Sequence, residues 1–114
     1  MTQPVVNVAR DFSKYPAGRY LEDGPASGQA FREKFLIPNL KESRLITIEL
    51  DGTRGYGSSF LEEAFGGAVR EGYKPETVKQ TFELISEDKS LVEEIHDYID
   101  HGSDLEMTKG QDLS

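Results

Sequence analysis

The stretch LITIELDGTRGYGSSFLEEAFGGAVRE, residues Leu45 to Glu71, decides how this chain folds. From Arg44 to Leu50 it places Leu45, Ile46, Ile48 and Leu50 almost without interruption. Such a β-rich apolar run reads as a central strand covered on both faces. Asp51 and Gly52 stop it, and Gly55, Tyr56 and Gly57 continue the loop. After Ser58 and Ser59 the period changes: Phe60/Leu61, Ala64/Phe65 and Ala68/Val69 recur every four residues, the apolar stripe of a helix packed on a core. Ser59 and Glu62 have capping-box spacing, in which the serine oxygen accepts from the Glu62 N–H and the carboxylate reaches back. Gly66 and Gly67 fall inside this helix, where each costs about 1 kcal/mol relative to alanine. Their presence predicts a close approach of the helix to the sheet, and Gly72 is placed to end it.

Working outward, Pro4 to Phe12 carries Val5, Val6 and Val8 and reads as a strand. Ser13 to Gly18 has turn chemistry, after which Arg19, Tyr20 and Leu21 are expected to return as a second strand of a hairpin. Asp23 to Gly28 is a loop. Ser27 or Gly28 then caps a helix bearing Ala30, Phe31 and Phe35, with Leu36, Ile37 and Leu40 beside them, and Pro38 is expected to kink or tighten it. In the other direction, Lys74 to Thr77 starts a short turn or helical piece, Thr81 to Ser86 is a strand, and Asp88 the cap of a last helix. That helix carries Leu91, Val92, Ile95, Tyr98 and Ile99 on one face and ends at His101 and Gly102. The predicted order is β-β-α-β-α-β-α: an α/β fold, with helices packed on an open mixed sheet. Residues 1–102 form the expected single domain. Residues 103–114, polar and aperiodic, are expected to be a disordered tail.

Composition narrows the function. A chain of 114 residues suits one domain with one core. With 36% hydrophobic and 30% charged residues it has a folded, soluble profile. The net charge of -8, with no run of Lys and Arg, argues against nucleic acid or an anionic membrane as partner and is compatible with a basic protein surface. The absence of Cys excludes disulfides, thiolate zinc sites and a cysteine nucleophile. No apolar stretch approaches the roughly 20 residues of a membrane span. Met1 to Arg10 lacks the order of a signal peptide, so a cytoplasmic protein is expected. His96 and His101 lie five apart rather than four, and no metal site is expected of them. The loop Asp51 to Gly57 is neither a Walker loop nor a dinucleotide fingerprint. No catalytic residue and no cofactor is assigned.

Two spaced strings carry a resemblance. One is Tyr15-Pro16-x-Gly18-Arg19-Tyr20-x-x-Asp23-Gly24-Pro25-x-Ser27-Gly28-x-x-Phe31-Arg32. The other is Asp51-Gly52-x-x-Gly55-Tyr56-x-Ser58-Ser59-Phe60-Leu61-Glu62-Glu63-Ala64-Phe65-Gly66-Gly67. Together they resemble the STAS-like domain family of unknown function, over most of the chain from Asp11 to His101. The resemblance implies kinship with the STAS fold of bacterial anti-sigma factor antagonists. In those proteins a serine opening the second helix is phosphorylated by a histidine-kinase-like ATPase, within an Asp-Ser-Ser-Gly motif. Ser58 matches the phosphorylated serine and Ser59 the next, while Gly57 stands for the Asp and Phe60 for the Gly. A non-catalytic signalling module follows, with a protein partner such as that ATPase, no nucleic acid, no membrane, and a monomeric or weakly dimeric state. Helix capping alone also explains both serines.

A second constellation is Arg19, Asp23, Arg32, Asp51 and Arg54, with Tyr56 beside them in the loop. If they converge beyond the carboxyl ends of the strands, they make a partner site, or an anion or nucleotide pocket and an enzyme. If not, they are ion pairs and turn contacts. Glu62 and Glu63, about 100° apart on a helix, are expected not to share a site but to cap and be solvated.

Overall fold

The structure is a computed structural model and describes residues 3–104. Three short strands, β1 (Val5–Asn7), β2 (Ile46–Glu49) and β3 (Phe82–Ile85), form a sheet in the order β1-β2-β3. Both pairings are parallel: Val6 faces Ile48 across the first, and Ile48 faces Leu84 across the second. The helices are α1 (Val8–Asp11), α2 (28–41), α3 (58–70), α4 (Pro75–Thr81) and α5 (Lys89–Asp100).

The sheet is therefore open and entirely parallel, not mixed as the predicted hairpin required. The reason lies at Asp23. Its carboxylate accepts from the Arg19 N–H at 3.2 Å and the Tyr20 N–H at 2.8 Å, and Leu21–Asp23 close into a 3-10 turn. Donors that a second strand would offer to a neighbour are used locally. The first strand is also shorter than expected. Asn7 ends it by accepting from the Arg10 N–H, while Asp11 accepts from the Asn7 N–H, so Val8 begins a helical turn.

Helices α2 and α3 each contain a π-helical stretch, Arg32–Leu36 and Glu62–Gly66. In α2 the Ile37 N–H reaches back to the Arg32 carbonyl, one residue beyond the usual spacing. Pro38 lies just beyond, with no N–H to give and a ring that crowds the preceding turn. The helix is widened there, not tightened. Ser27 caps α2 by accepting from the Ala30 N–H, and Asp88 caps α5 by accepting from Ser90 and Leu91. Gly72, at a φ of 115°, closes α3: its N–H bonds to the Val69 carbonyl and that of Tyr73 to the Ala68 carbonyl.

Ile46, Ile48, Leu50 and Phe82 turn one face of the sheet into the core, where they meet Phe31, Leu36, Phe60, Leu61, Phe65, Ile95 and Ile99 of the helices. Burying each such side chain contributes roughly 1.5–3 kcal/mol. Phe31 is the aromatic centre, with ring centroids 5.2 Å from Phe12 and from Phe35 and 5.9 Å from Phe60. The other face of β2 presents Thr47 and Glu49, only half-buried. Among the described residues the central strand is thus covered on one face, where coverage of both was expected. The tail expected from Ser103 begins with a helical turn at 102–104, and its remainder lies outside the described residues. Among the described residues, no helix is long and apolar enough to cross a membrane.

Candidate functional site

Two places draw the polar side chains together. The first is the crossing of α2 and α3. Arg32, about 7% exposed, sends Nη1 to Glu63 Oε2 at 2.9 Å and Nε to Glu71 Oε2 at 2.7 Å. The same Nη1 donates to the Glu63 main-chain carbonyl. The π turn explains that last bond. The Gly67 N–H bonds back to the Glu62 carbonyl, so the Glu63 carbonyl lacks its usual helical donor, and the guanidinium supplies one.

Glycines make the space. A Cβ on Gly67 would fall on the Arg32 guanidinium, and one on Gly28 would fall on the Phe60 carbonyl. The close approach predicted from Gly66 and Gly67 is real, but it is made to neighbouring helical segments rather than to the sheet. Gly66 backs onto the Tyr98 carbonyl and Gly102.

Two further arginines complete the cluster. Arg19 Nη1 donates to Glu62 Oε1 at 2.6 Å and to Glu63 Oε1 at 3.0 Å. Arg70 donates to both Glu62 oxygens, at 2.6 and 3.0 Å, and to the Gly102 carbonyl at 3.0 Å. Burial alone would raise the Glu62 carboxyl, but Arg70 and Arg19 outweigh it and hold it below the usual carboxylate range. Glu62 and Glu63 therefore do share a site, contrary to the expectation from their 100° separation. Two long side chains diverge at Cβ and converge again on arginines that reach both. Glu62 accordingly does not fold back to form the capping box expected with Ser59.

The second place is the start of α3. Ser58 and Ser59 are exposed in its first turn, and Gly57, at the N-cap, has no side chain to accept from the free amides. Tyr98, near enough for the Ser58 hydroxyl to influence its phenol, donates to Glu94 Oε2 at 2.7 Å. The Glu94 carboxylate, together with burial, pushes the Tyr98 phenol up to about 12. The loop before the helix is braced on its inner side. Tyr56 donates its hydroxyl to the Leu50 carbonyl at 2.6 Å and packs on Phe60.

The five charges singled out in the sequence divide among these surroundings. Arg19 and Arg32 meet on Glu63. Asp23 stays in its own turn. Asp51 crosses to the next strand's loop, accepting from Ser86 Oγ at 2.6 Å and the Glu87 N–H at 3.0 Å. Arg54 is exposed, with its N–H bonded to the Lys14 carbonyl. Sequence reasoning missed Glu63, Arg70 and Glu71 as partners. The signal was present: two glutamates interrupt an otherwise apolar run from Phe60 to Gly67, and a buried charge needs a partner. Among the described residues, no group of His, Asp and Glu is arranged to hold a metal ion.

No curated protein and no solved structure matches the chain. The model of the STAS-like domain of unknown function matches residues 27–92, more than half of its length, from the cap of α2 to the first turn of α5. The chain belongs to the family of STAS-like domains of unknown function.

Proposed function

We propose that this domain is a non-catalytic protein-interaction module, switched by a phosphate on Ser58 or, second, Ser59. The contact surface is the loop Asp51 to Gly57 with the first turns of α3. The observation that carries this reading is the exposure of both serines on a helix start whose N-cap residue, Gly57, has no side chain. A phosphate there finds main-chain amides and the positive end of the helix dipole. It adds nearly two negative charges beside Glu94 and Glu62, and its oxygens compete with Glu94 for the Tyr98 hydroxyl. Binding to a partner that reads this face then changes with the charge. A histidine-kinase-like ATPase is the partner class that the resemblance to anti-sigma factor antagonists suggests.

The competing reading is an enzyme or an anion or nucleotide pocket built on Arg19, Asp23, Arg32, Asp51 and Arg54. It draws no support from the geometry. Arg19 and Arg32 are already neutralised by Glu62, Glu63 and Glu71, and Asp51 is engaged with Ser86 and Glu87.

The switch is tested by recovery of the partner on Ser58→Ala, Ser58→Asp, Ser59→Ala and Ser59→Asp baits. Recovery should differ between the Ala and Asp forms at one of the two positions. Equal recovery from all four sinks the reading.

A further inference from the structure

We propose that the face of the sheet left uncovered among the described residues is a second docking surface, fitted to a basic amphipathic helix of a partner protein. The surface is separate from the start of α3 and does not depend on a switch at Ser58. Parallel sheets ordinarily carry cover on both faces, because their crossovers place helices there. Here the core takes the face of Ile46, Ile48 and Phe82, and the opposite face keeps Val5, Leu45 and Ile85 at 45, 50 and 45% exposure. The register puts Val5, Thr47 and Glu83 in one row across the three strands, with Glu49 beside Ile85 in the next. Leu45 precedes Thr47 on the same side of β2. An acidic diagonal, Glu83 to Glu49, thus runs between an aliphatic corner at Val5 and Leu45 and a second aliphatic side chain at Ile85.

Size and charge select the occupant. Three strands about 4.8 Å apart make a strip roughly as wide as one helix, whose diameter is about 10–12 Å. Both glutamates are held by neutral donors, Glu49 by Asn7 at 3.2 Å and Glu83 by Thr47 at 3.1 Å. Arg10, whose charge reaches Glu49, is itself paired with Asp11. Two like charges on the strip repel a second copy of the same face, and on a chain of net charge -8 they repel phosphate-bearing surfaces as well. A helix with aliphatic residues at i and i+3 or i+4 over Val5 and Leu45, and Lys or Arg a turn further on over Glu49 and Glu83, satisfies both halves.

The test uses two synthetic alanine-rich helical peptides of about 25 residues, well beyond the roughly 12–15 residues at which isolated helices are marginal in water. They share one leucine stripe and carry Lys in one and Glu in the other. Each is titrated into the isotope-labelled full chain, with amide shifts followed by NMR. The Lys peptide should move the amides of Val5, Thr47, Glu49 and Glu83 and bind at least about tenfold more tightly than the Glu peptide, with the gap closing as salt rises. Glu83→Lys, an exposed change that leaves the core untouched, should narrow the gap, and Glu49→Lys/Glu83→Lys should invert it. Equal binding of both peptides, shifts confined to the loop 51–57, or no shift on the sheet overturns the proposal. So does a concentration-dependent shift of these amides in peptide-free protein, which would mark self-association through this face.

Discussion

Replacing Arg32 with Met tests whether the arginine-glutamate cluster is a dry, shared structure. Methionine nearly conserves the volume, so loss of the charged contacts dominates over cavity formation. Three contacts go. The pair with Glu63, both side chains 9% exposed, is of the kind whose breakage costs about 3–5 kcal/mol. The bond to Glu71, whose side chain is 42% exposed, adds about 0–1 kcal/mol. The Glu63 carbonyl, left without a donor, adds about 1–3 kcal/mol. Against these, Glu63 keeps Arg19 at 3.0 Å and Arg70 at 3.4 Å, so the lower half of the range applies. A net loss of about 4–6 kcal/mol is expected, a large part of the roughly 5–15 kcal/mol that holds a domain together. Urea unfolding followed by circular dichroism reads it as a lower midpoint at unchanged slope. Adding Glu63→Leu to Arg32→Met should restore part of the loss, because the second change removes a buried carboxylate that has lost its nearest full partner and leaves Glu62 to pair with Arg19 and Arg70. A cost under about 1 kcal/mol for Arg32→Met would refute the reasoning, since only water-screened pairs are that cheap.

Further outcomes follow from the same geometry. Gly67→Ala places a methyl on the Arg32 guanidinium and should cost about 1–3 kcal/mol. In an Arg32→Ala background the sign should reverse, since the space is vacated and alanine is the better helix former by about 1 kcal/mol; a cost unchanged by the background would point elsewhere. Glu62, its folded carboxyl held low against burial by Arg70 and Arg19, contributes stability that is full above its unfolded value of about 4.3 and lost as pH falls through the folded value. Glu62→Gln should therefore flatten the decline of stability on the acid side, and an identical acid slope would contradict this. Asp88→Ala removes the acceptor for the Ser90 and Leu91 amides and should lower stability by about 1 kcal/mol in the same urea assay, whereas no change would mean that water caps α5 equally well.

What could be read from the sequence was local. Ser27, Asp88 and Gly72 mark their helix ends because capping is a matter of two or three neighbouring residues. The apolar stripe of α5 survives intact, with Ile95 and Ile99 buried. The misreadings arose where a distant or competing group decided the outcome. Tyr20 and Leu21 have the composition of a strand, but Asp23 takes the amides of Arg19 and Tyr20, and the sheet loses its only antiparallel neighbour. Leu45 belongs to an apolar run, yet it stands half-exposed on the uncovered face, because a continuous run does not say how many faces find cover. Glu62 and Glu63 were read by their angular separation. The three arginines that unite them come from positions 19, 32 and 70, and only the fold brings those together. At Ser58 the sequence identified the helix start and the structure added its surroundings: a bare N-cap, Tyr98 and the nearby acidic side chains.

The phosphate can be sought directly by mass spectrometry of the protein purified from its own cells under several growth conditions. Trypsin releases both serines in one peptide, from Gly55 to Arg70. The switch predicts a fraction of that peptide heavier by one phosphate, with fragment ions placing it on Ser58 and the fraction changing with conditions. A peptide that is unmodified throughout, in preparations where other proteins retain their phosphoserines, would contradict it and leave Ser58 as the plain first residue of a helix.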